Sequence, residues 1–368
     1  MITENLKGVK RTILLFALVT VVLKCAQAGN PDRAGEAGAS ELLINPWARS
    51  GGLFGMNSSR VMGLEAERVN IAGLAFMHNK TEAVFTRSHW LQGTDIFINA
   101  AGVGQKFGKD KENAMSFTFM SMNFGEIERT TTTNPEGGLG TFEPQFFNMG
   151  LGFARTFSKR IYAGMAVRII SERIDDLKAF GFCIDLGIQY VTGKLDNARF
   201  GVSLRNIGTP MKFSGDGLVF RGAAPGGDYQ QSQSQRTEKF ELPSQLNIGA
   251  SYDIYVDNLK NDKEKKHDHR LSVIFNYASN SFGKDNVGGG LEYSWKEIFM
   301  LRGGYRWEKG INDDVERTSA HRGISAGFSA QVPLKKDKEN SPSIGIDYAY
   351  LVSSPFRGTH QYGVRFIL

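Results

Sequence analysis

From about residue 82 to its end the chain repeats one pattern, roughly ten residues long, with apolar side chains alternating with small or polar ones. The run Phe180 to Tyr190 shows it best. Phe180, Phe182, Ile184, Leu186, Ile188 and Tyr190 fall on one face, and Gly181, Cys183, Asp185, Gly187 and Gln189 on the other. A period of two is a β-strand. Soluble sheets also alternate, but a strand this long, with one wholly apolar face and one Gly/Asp/Gln face, suits lipid outside and a polar lumen inside. The expected fold class is therefore all-β, a closed antiparallel transmembrane β-barrel.

The N-terminus fits an exported protein. Lys7, Lys10 and Arg11 precede the apolar run 12–23, and Ala26-Gln27-Ala28 is a small-residue cleavage site, so residues 1–28 read as a secretory signal peptide. The run is too short to span a bilayer as a helix. Lys24 before Cys25 stands against lipidation, because a lipobox wants a small residue there. The rest of the chain has no long apolar run. In a membrane it must be a barrel, since only helices and closed barrels satisfy their backbone groups in lipid. The expected location is the bacterial outer membrane.

Composition agrees. Hydrophobic residues make up 41% of the chain, as expected when every second strand residue faces a polar lumen. The 43 glycines leave room inside, and the 26 phenylalanines suit the lipid face. Half of the net charge of +6 leaves with the signal peptide, and the remainder is too weak to argue for a nucleic-acid partner. Cys183 is the one cysteine left, so no internal disulfide can form.

Fourteen strands are expected at 82–90, 93–106, 113–124, 145–157, 160–171, 179–193, 197–206, 244–256, 269–279, 286–296, 298–308, 322–333, 342–351 and 358–368. The connections test this count. Bacterial barrels have an even number of strands, short periplasmic turns and long external loops. With the last strand ending in the periplasm, 125–144, 172–178, 207–243, 280–285, 309–321 and 352–357 become external. Those at 107–112, 158–159, 194–196, 257–268, 297 and 334–341 become periplasmic. The two longest fall outside and the shortest inside. Residues 29–81 do not alternate and read as a separate N-terminal segment, either a plug in the lumen or a periplasmic extension.

The order of several short segments resembles a known family. Ser40 to Asn57, SELLINPWARSGGLFGMN, is similar to the N-terminal segment of the PorV/PorQ outer-membrane proteins of Bacteroidetes. Asn70-Ile71-Ala72-Gly73-Leu74-Ala75 resembles the Asn-Pro-Ala-Gly-Leu-Ala stretch of the wider FadL-like barrels, with Ile71 in place of proline. Phe153 to Asp176, Ile184-Asp185-Leu186-Gly187, Arg199-Phe200-Gly201, Asn206-Ile207-Gly208 and Leu242-Pro243 follow in the same order. The resemblance implies a fourteen-stranded FadL-like barrel and a role in type IX protein secretion. The partners it implies are translocon or attachment-complex proteins and the C-terminal signal domains of exported cargo. The alternative is a FadL-like channel for hydrophobic small molecules.

Chemistry-bearing motifs are few. Gly323-Ile324-Ser325-Ala326-Gly327 matches a nucleophile-elbow pattern, but that motif needs a strand–turn–helix context, and here it falls within a strand. His267-Asp268-His269 follows a lysine-rich turn and has no further metal ligand near it in sequence. No paired catalytic carboxylates, zinc motif or phosphate loop occurs, so neither enzymatic activity nor a cofactor is expected. On the lumen face stand Arg168, Asp185, Arg205, Asp253, Glu292, Arg302, Arg306, Asp347 and Arg365. Their mixed signs favour an ion-pair network over a selective pore. In the long loop 207–243, Met211, Phe213, Val219 and Phe220 are candidates for partner contact or for packing over the barrel mouth.

Overall fold

The computed structural model describes residues 29–223, 226–227, 229–256, 267–334 and 341–368. The signal peptide and the lysine-rich stretches around Lys263 and Lys336 lie outside them. Fourteen strands among the described residues form one antiparallel barrel: β1 (Thr81–His89), β2 (Phe97–Phe107), β3 (Asn113–Asn123), β4 (Gln145–Thr156), β5 (Ile161–Ile174), β6 (Leu177–Thr192), β7 (Ala198–Gly208), β8 (Gln245–Tyr255), β9 (His269–Asn280), β10 (Asn286–Trp295), β11 (Phe299–Glu308), β12 (His321–Pro333), β13 (Ser343–Ser353) and β14 (Thr359–Ile367). Each pairs with its neighbours in sequence. β1 closes the ring against β14 in the register Ala83 opposite Phe366, so no sheet edge is left open within the membrane.

The faces follow the alternation. In β6 the even-numbered residues Phe180 to Tyr190 are exposed on the outside and the odd-numbered ones are buried. Leu151, Ile188, Leu301 and Ile346 continue the apolar outer surface round the barrel. Trp295 and Phe299, stacked at 5.9 Å, lie at the turn joining β10 to β11, where an aromatic girdle belongs. This exterior places the barrel in the outer membrane.

Strand ends depart most from the sequence reading in two places. β5 and β6 run on to a two-residue turn at Asp175-Asp176, with pairing maintained from Ser171–Phe180 to Ile174–Leu177. The outward positions Ser171 and Arg173 are polar, so the amphipathic signal fades while the hydrogen-bond ladder continues. β2 begins at Phe97 rather than residue 93. Leu91 and Gly93 take positive φ, and the Thr94 hydroxyl bonds the Trp90 carbonyl at 2.8 Å, closing a loop instead of a strand.

The connections 124–144 and 209–244 leave the same end of the barrel, assigned as the outer end by their length. Each carries a hairpin: Ile127–Glu128 with Thr141–Phe142, and Val219–Ala223 with Gln230–Ser234. Protease sites placed at Gly138, Gln233 or Asp314 should be cut on intact cells, and sites at Lys263 or Lys336 should be spared. Cutting at Lys263 on intact cells would invert the barrel.

The N-terminal segment has two parts. Residues 29–39 lie at the outer mouth, where Arg33 stacks on Phe282 at 4.3 Å. Residues 40–77 fill the lumen with one short α-helix (Ala48–Gly51) and 3-10 turns. Their apolar side chains form three clusters with the wall. Leu42 packs with Ile170, Ala179 and Leu242. Trp47 and Leu64 pack with Val84, Ile98 and Met120. Val69, Ile71, Leu74 and Met77 pack with Ala114, Ala154 and Ala166 near the inner end.

Candidate functional site

The lumen is where the chain concentrates its buried charge. On one wall the charged side chains join into a band crossing seven adjacent strands, β8 to β14. Asp253 accepts from Ser272 at 2.5 Å and lies 3.7 Å from Arg270. Arg270 reaches Glu292 at 2.9 Å and Glu297 at 2.7 Å. Glu292 takes Arg302 at 2.6 Å, and Arg302 donates to Ser329 at 2.6 Å. Ser329 donates to Asp347, which pairs with Arg365 at 2.6 Å. A second group on the opposite wall pairs Arg168 with Asp185 at 2.8 Å, and Asp185 also accepts from the Asn206 backbone at 2.6 Å.

The plug is tied to both groups. Arg60 lies 3.3 Å from Asp253. Arg168 donates to the Glu67 carbonyl at 3.2 Å, and Arg205 to that of Leu42 at 3.2 Å. Glu67 is held by the hydroxyls of Ser116 (2.6 Å) and Thr118, and Glu65 by Ser50 at 2.6 Å. Between plug and band, a cavity of about 20 Å³ lined by Arg49, Arg60, Glu65, Glu292 and Arg302 has room for about one water.

Of the nine lumen residues expected from sequence, all are on the inner face. Seven of them (Arg168, Asp185, Asp253, Glu292, Arg302, Asp347 and Arg365) make ion pairs. Arg205 instead bonds Gln245 and the Leu42 carbonyl, and Arg306 lies over the Phe54 ring at 4.1 Å. Sequence reasoning missed Arg270, which the alternation of β9 could have supplied. It also missed Arg60, Glu65 and Glu67, which sit in a segment without periodicity.

Glycines on the wall are what let the plug backbone come close. A Cβ on Gly201 would meet the Ser58 carbonyl and Ser59 Cα, and one on Gly187 would overlap the Asn70 side chain. Asn70 caps the turn Ile71–Phe76 and accepts from Ala72 N at 3.2 Å. Its amide donates to the carbonyls of Ser58 (2.9 Å) and Ile188 (3.1 Å), fixing plug to wall. Ile71 therefore occupies the first position of the turn, where proline is favoured. Gly201→Val should destabilise the folded barrel by about 1–3 kcal/mol through overpacking, whereas valine at the open Gly303 should be tolerated. Urea unfolding in lipid vesicles measures both.

The four apolar candidates of the outer loop do not form one patch. Met211 is 1% exposed and packs with Leu42, Ile170 and Cys183, with Phe213 and Phe240 against it. These side chains close the mouth, because the alternative is an apolar cluster left in water. Val219 and Phe220, about half exposed, stand clear on the hairpin. Ser325 lies within β12, and its hydroxyl donates to the Gly52 carbonyl at 3.1 Å. His267 stacks on Tyr255 and His269 bonds the Tyr293 hydroxyl at 2.7 Å. No group of three metal-ligating side chains occurs among the described residues.

Neither a protein-family model nor a curated protein sequence matches the chain. Solved structures do. The chain is similar to the Pseudomonas putida toluene transporter TodX, with a TM-score of 0.52 at 10% identity over 88% of this chain and 97% of that one. The monoaromatic hydrocarbon channel CymD gives a TM-score of 0.51 at 10% identity with the same coverage. A Pseudomonas aeruginosa FadL homologue gives 0.47 at 10% identity over 87% and 96%. At such identities the likeness speaks for architecture alone, a closed antiparallel β-barrel of the kind TodX and CymD share.

Proposed function

We propose that this barrel is a protein-docking component of the outer membrane, with a role in type IX secretion of the kind its PorV/PorQ-like segments imply. The observation that carries this reading is the lumen. The plug is tied to the wall by buried charge, and the cavity between plug and charged band has room for about one water, a poor route for an apolar solute. The outer end supports it too, because the hairpin 219–234 holds Val219, Phe220 and Tyr229 in water with no role in closing the mouth. Exposed apolar side chains on a projecting hairpin mark a contact surface, and its free strand edges suit an extended exported segment.

A second reading has its own support. TodX is a toluene transporter and CymD a monoaromatic hydrocarbon channel, so the comparisons weigh more for a channel for hydrophobic compounds than for secretion. On that reading the plug shifts to open a path. One deletion separates the two. Removing 214–238 takes away the projecting hairpin and leaves all fourteen strands, Met211, Phe213 and Phe240 in place. The barrel should remain heat-modifiable while secretion or surface attachment of type IX cargo falls. Intact secretion with reduced uptake of hydrophobic solutes would decide for the channel.

A further inference from the structure

We infer that residues 36–38 are a displaceable strand, filling in cis a slot at the outer mouth that accepts an extended peptide with glycine opposite Phe240. The slot is built by the loop between β7 and β8. Met211 and Phe240 form an antiparallel bridge, with backbone bonds of 2.9 and 2.8 Å in both directions. The other edge of the same short strand is taken by the N-terminal segment, in parallel. Gly38 N donates to the Glu241 carbonyl at 3.0 Å, and Glu241 N to the Glu36 carbonyl at 3.2 Å. This is strand addition, in which main-chain bonds hold the segment and side-chain fit selects it.

The selecting contact is at Gly38. A Cβ there would overlap the Phe240 ring, so a larger residue cannot lie flat at this register. Ala37 and Ala39 flank it. The hold is slight. Ala34, Gly35 and Glu36 are exposed, and the ion pair of Arg33 with Glu36 is in solvent. Besides the two backbone bonds, Arg33 stacks on Phe282 and Ala39 packs in the mouth cluster with Met211 and Leu242. Burial begins at Ala39, which is 4% exposed, and is complete at Glu41 and Leu42, 1% and 0% exposed. Gly35 and Ala39 take positive φ on either side of the strand, so its ends are turns, and releasing 36–38 need not disturb the plug. The slot lies at the outer mouth, in the same connection that carries the hairpin proposed to dock partners. That its occupant in trans belongs to an exported protein rests on the docking reading; the existence of the slot does not.

The test uses the full-length barrel in detergent and a fluorescent, C-terminally amidated synthetic peptide of residues 33–38. Gly38→Pro removes the donor to Glu241 and places ring carbons against Phe240, so the strap should leave the slot. The variant should bind the peptide about tenfold tighter than the unaltered barrel does, and the same peptide with valine for Gly38 should not bind. Equal binding to both barrels, or none to a heat-modifiable Gly38→Pro barrel, overturns the proposal. A second variant guards against misfolding: Ala37→Cys with Glu241→Cys, oxidised to lock the strap. Locking should abolish peptide exchange and reductant should restore it; exchange unaffected by oxidation overturns the slot. Peptide binding together with secretion that is indifferent to the 214–238 deletion supports the slot and sinks the docking reading.

Discussion

Asp347→Asn should cost about 3–5 kcal/mol of barrel stability, because it leaves Arg365 charged and unpaired in the interior. Both side chains are 1% exposed and 2.6 Å apart. The amide keeps the volume and the contact with Ser329, so the loss isolates the charge. Replacing both residues with leucine and methionine should recover most of that loss, since a buried pair stabilises little beyond an apolar pair of similar size. Urea titration in lipid vesicles reads both variants. A single variant within about 1 kcal/mol of the unaltered barrel would mean that the band across β8–β14 does not act as a connected network.

Leu186→Arg should cost about 2–4 kcal/mol near the bilayer midplane, because it drives a charge into lipid. Phe182 and Tyr348 share its outward facing. The adjacent Gly187→Arg faces the plug, and its penalty comes from collision with Asn70 rather than from lipid. The two should therefore respond differently to bilayer thickness: a thinner bilayer should relieve Leu186→Arg and leave Gly187→Arg unchanged. The same response at both positions, in a folding assay across lipids of different chain length, would undo the assignment of faces.

The outer hairpin and the mouth illustrate how much of a candidate site composition can and cannot reveal. Met211, Phe213, Val219 and Phe220 are equally apolar and lie within ten residues of one another. Their division into two that close the mouth and two that stand in solvent depends on Leu42 and Phe240, which come from elsewhere in the chain. Sequence proximity could not divide them, because both roles ask for the same side chains.

What the sequence determined by itself is the wall. Alternation is local, and a strand has only two faces, so the outward set from Phe180 to Tyr190 and the inward set including Asp185, Arg302 and Arg365 could be assigned without a single long-range contact. Loop parity then set the strand number. The tertiary structure alone decided what the wall encloses. Arg60 meets Asp253, Asn70 bridges to Ile188, and residues 36–38 pair with Glu241 at the outer mouth. Each of these contacts joins an aperiodic segment to a residue more than a hundred positions away. Nothing in the local pattern of 29–81 encodes a face, so its place was fixed only when the closed barrel supplied charges to pair, carbonyls to satisfy and glycines to approach.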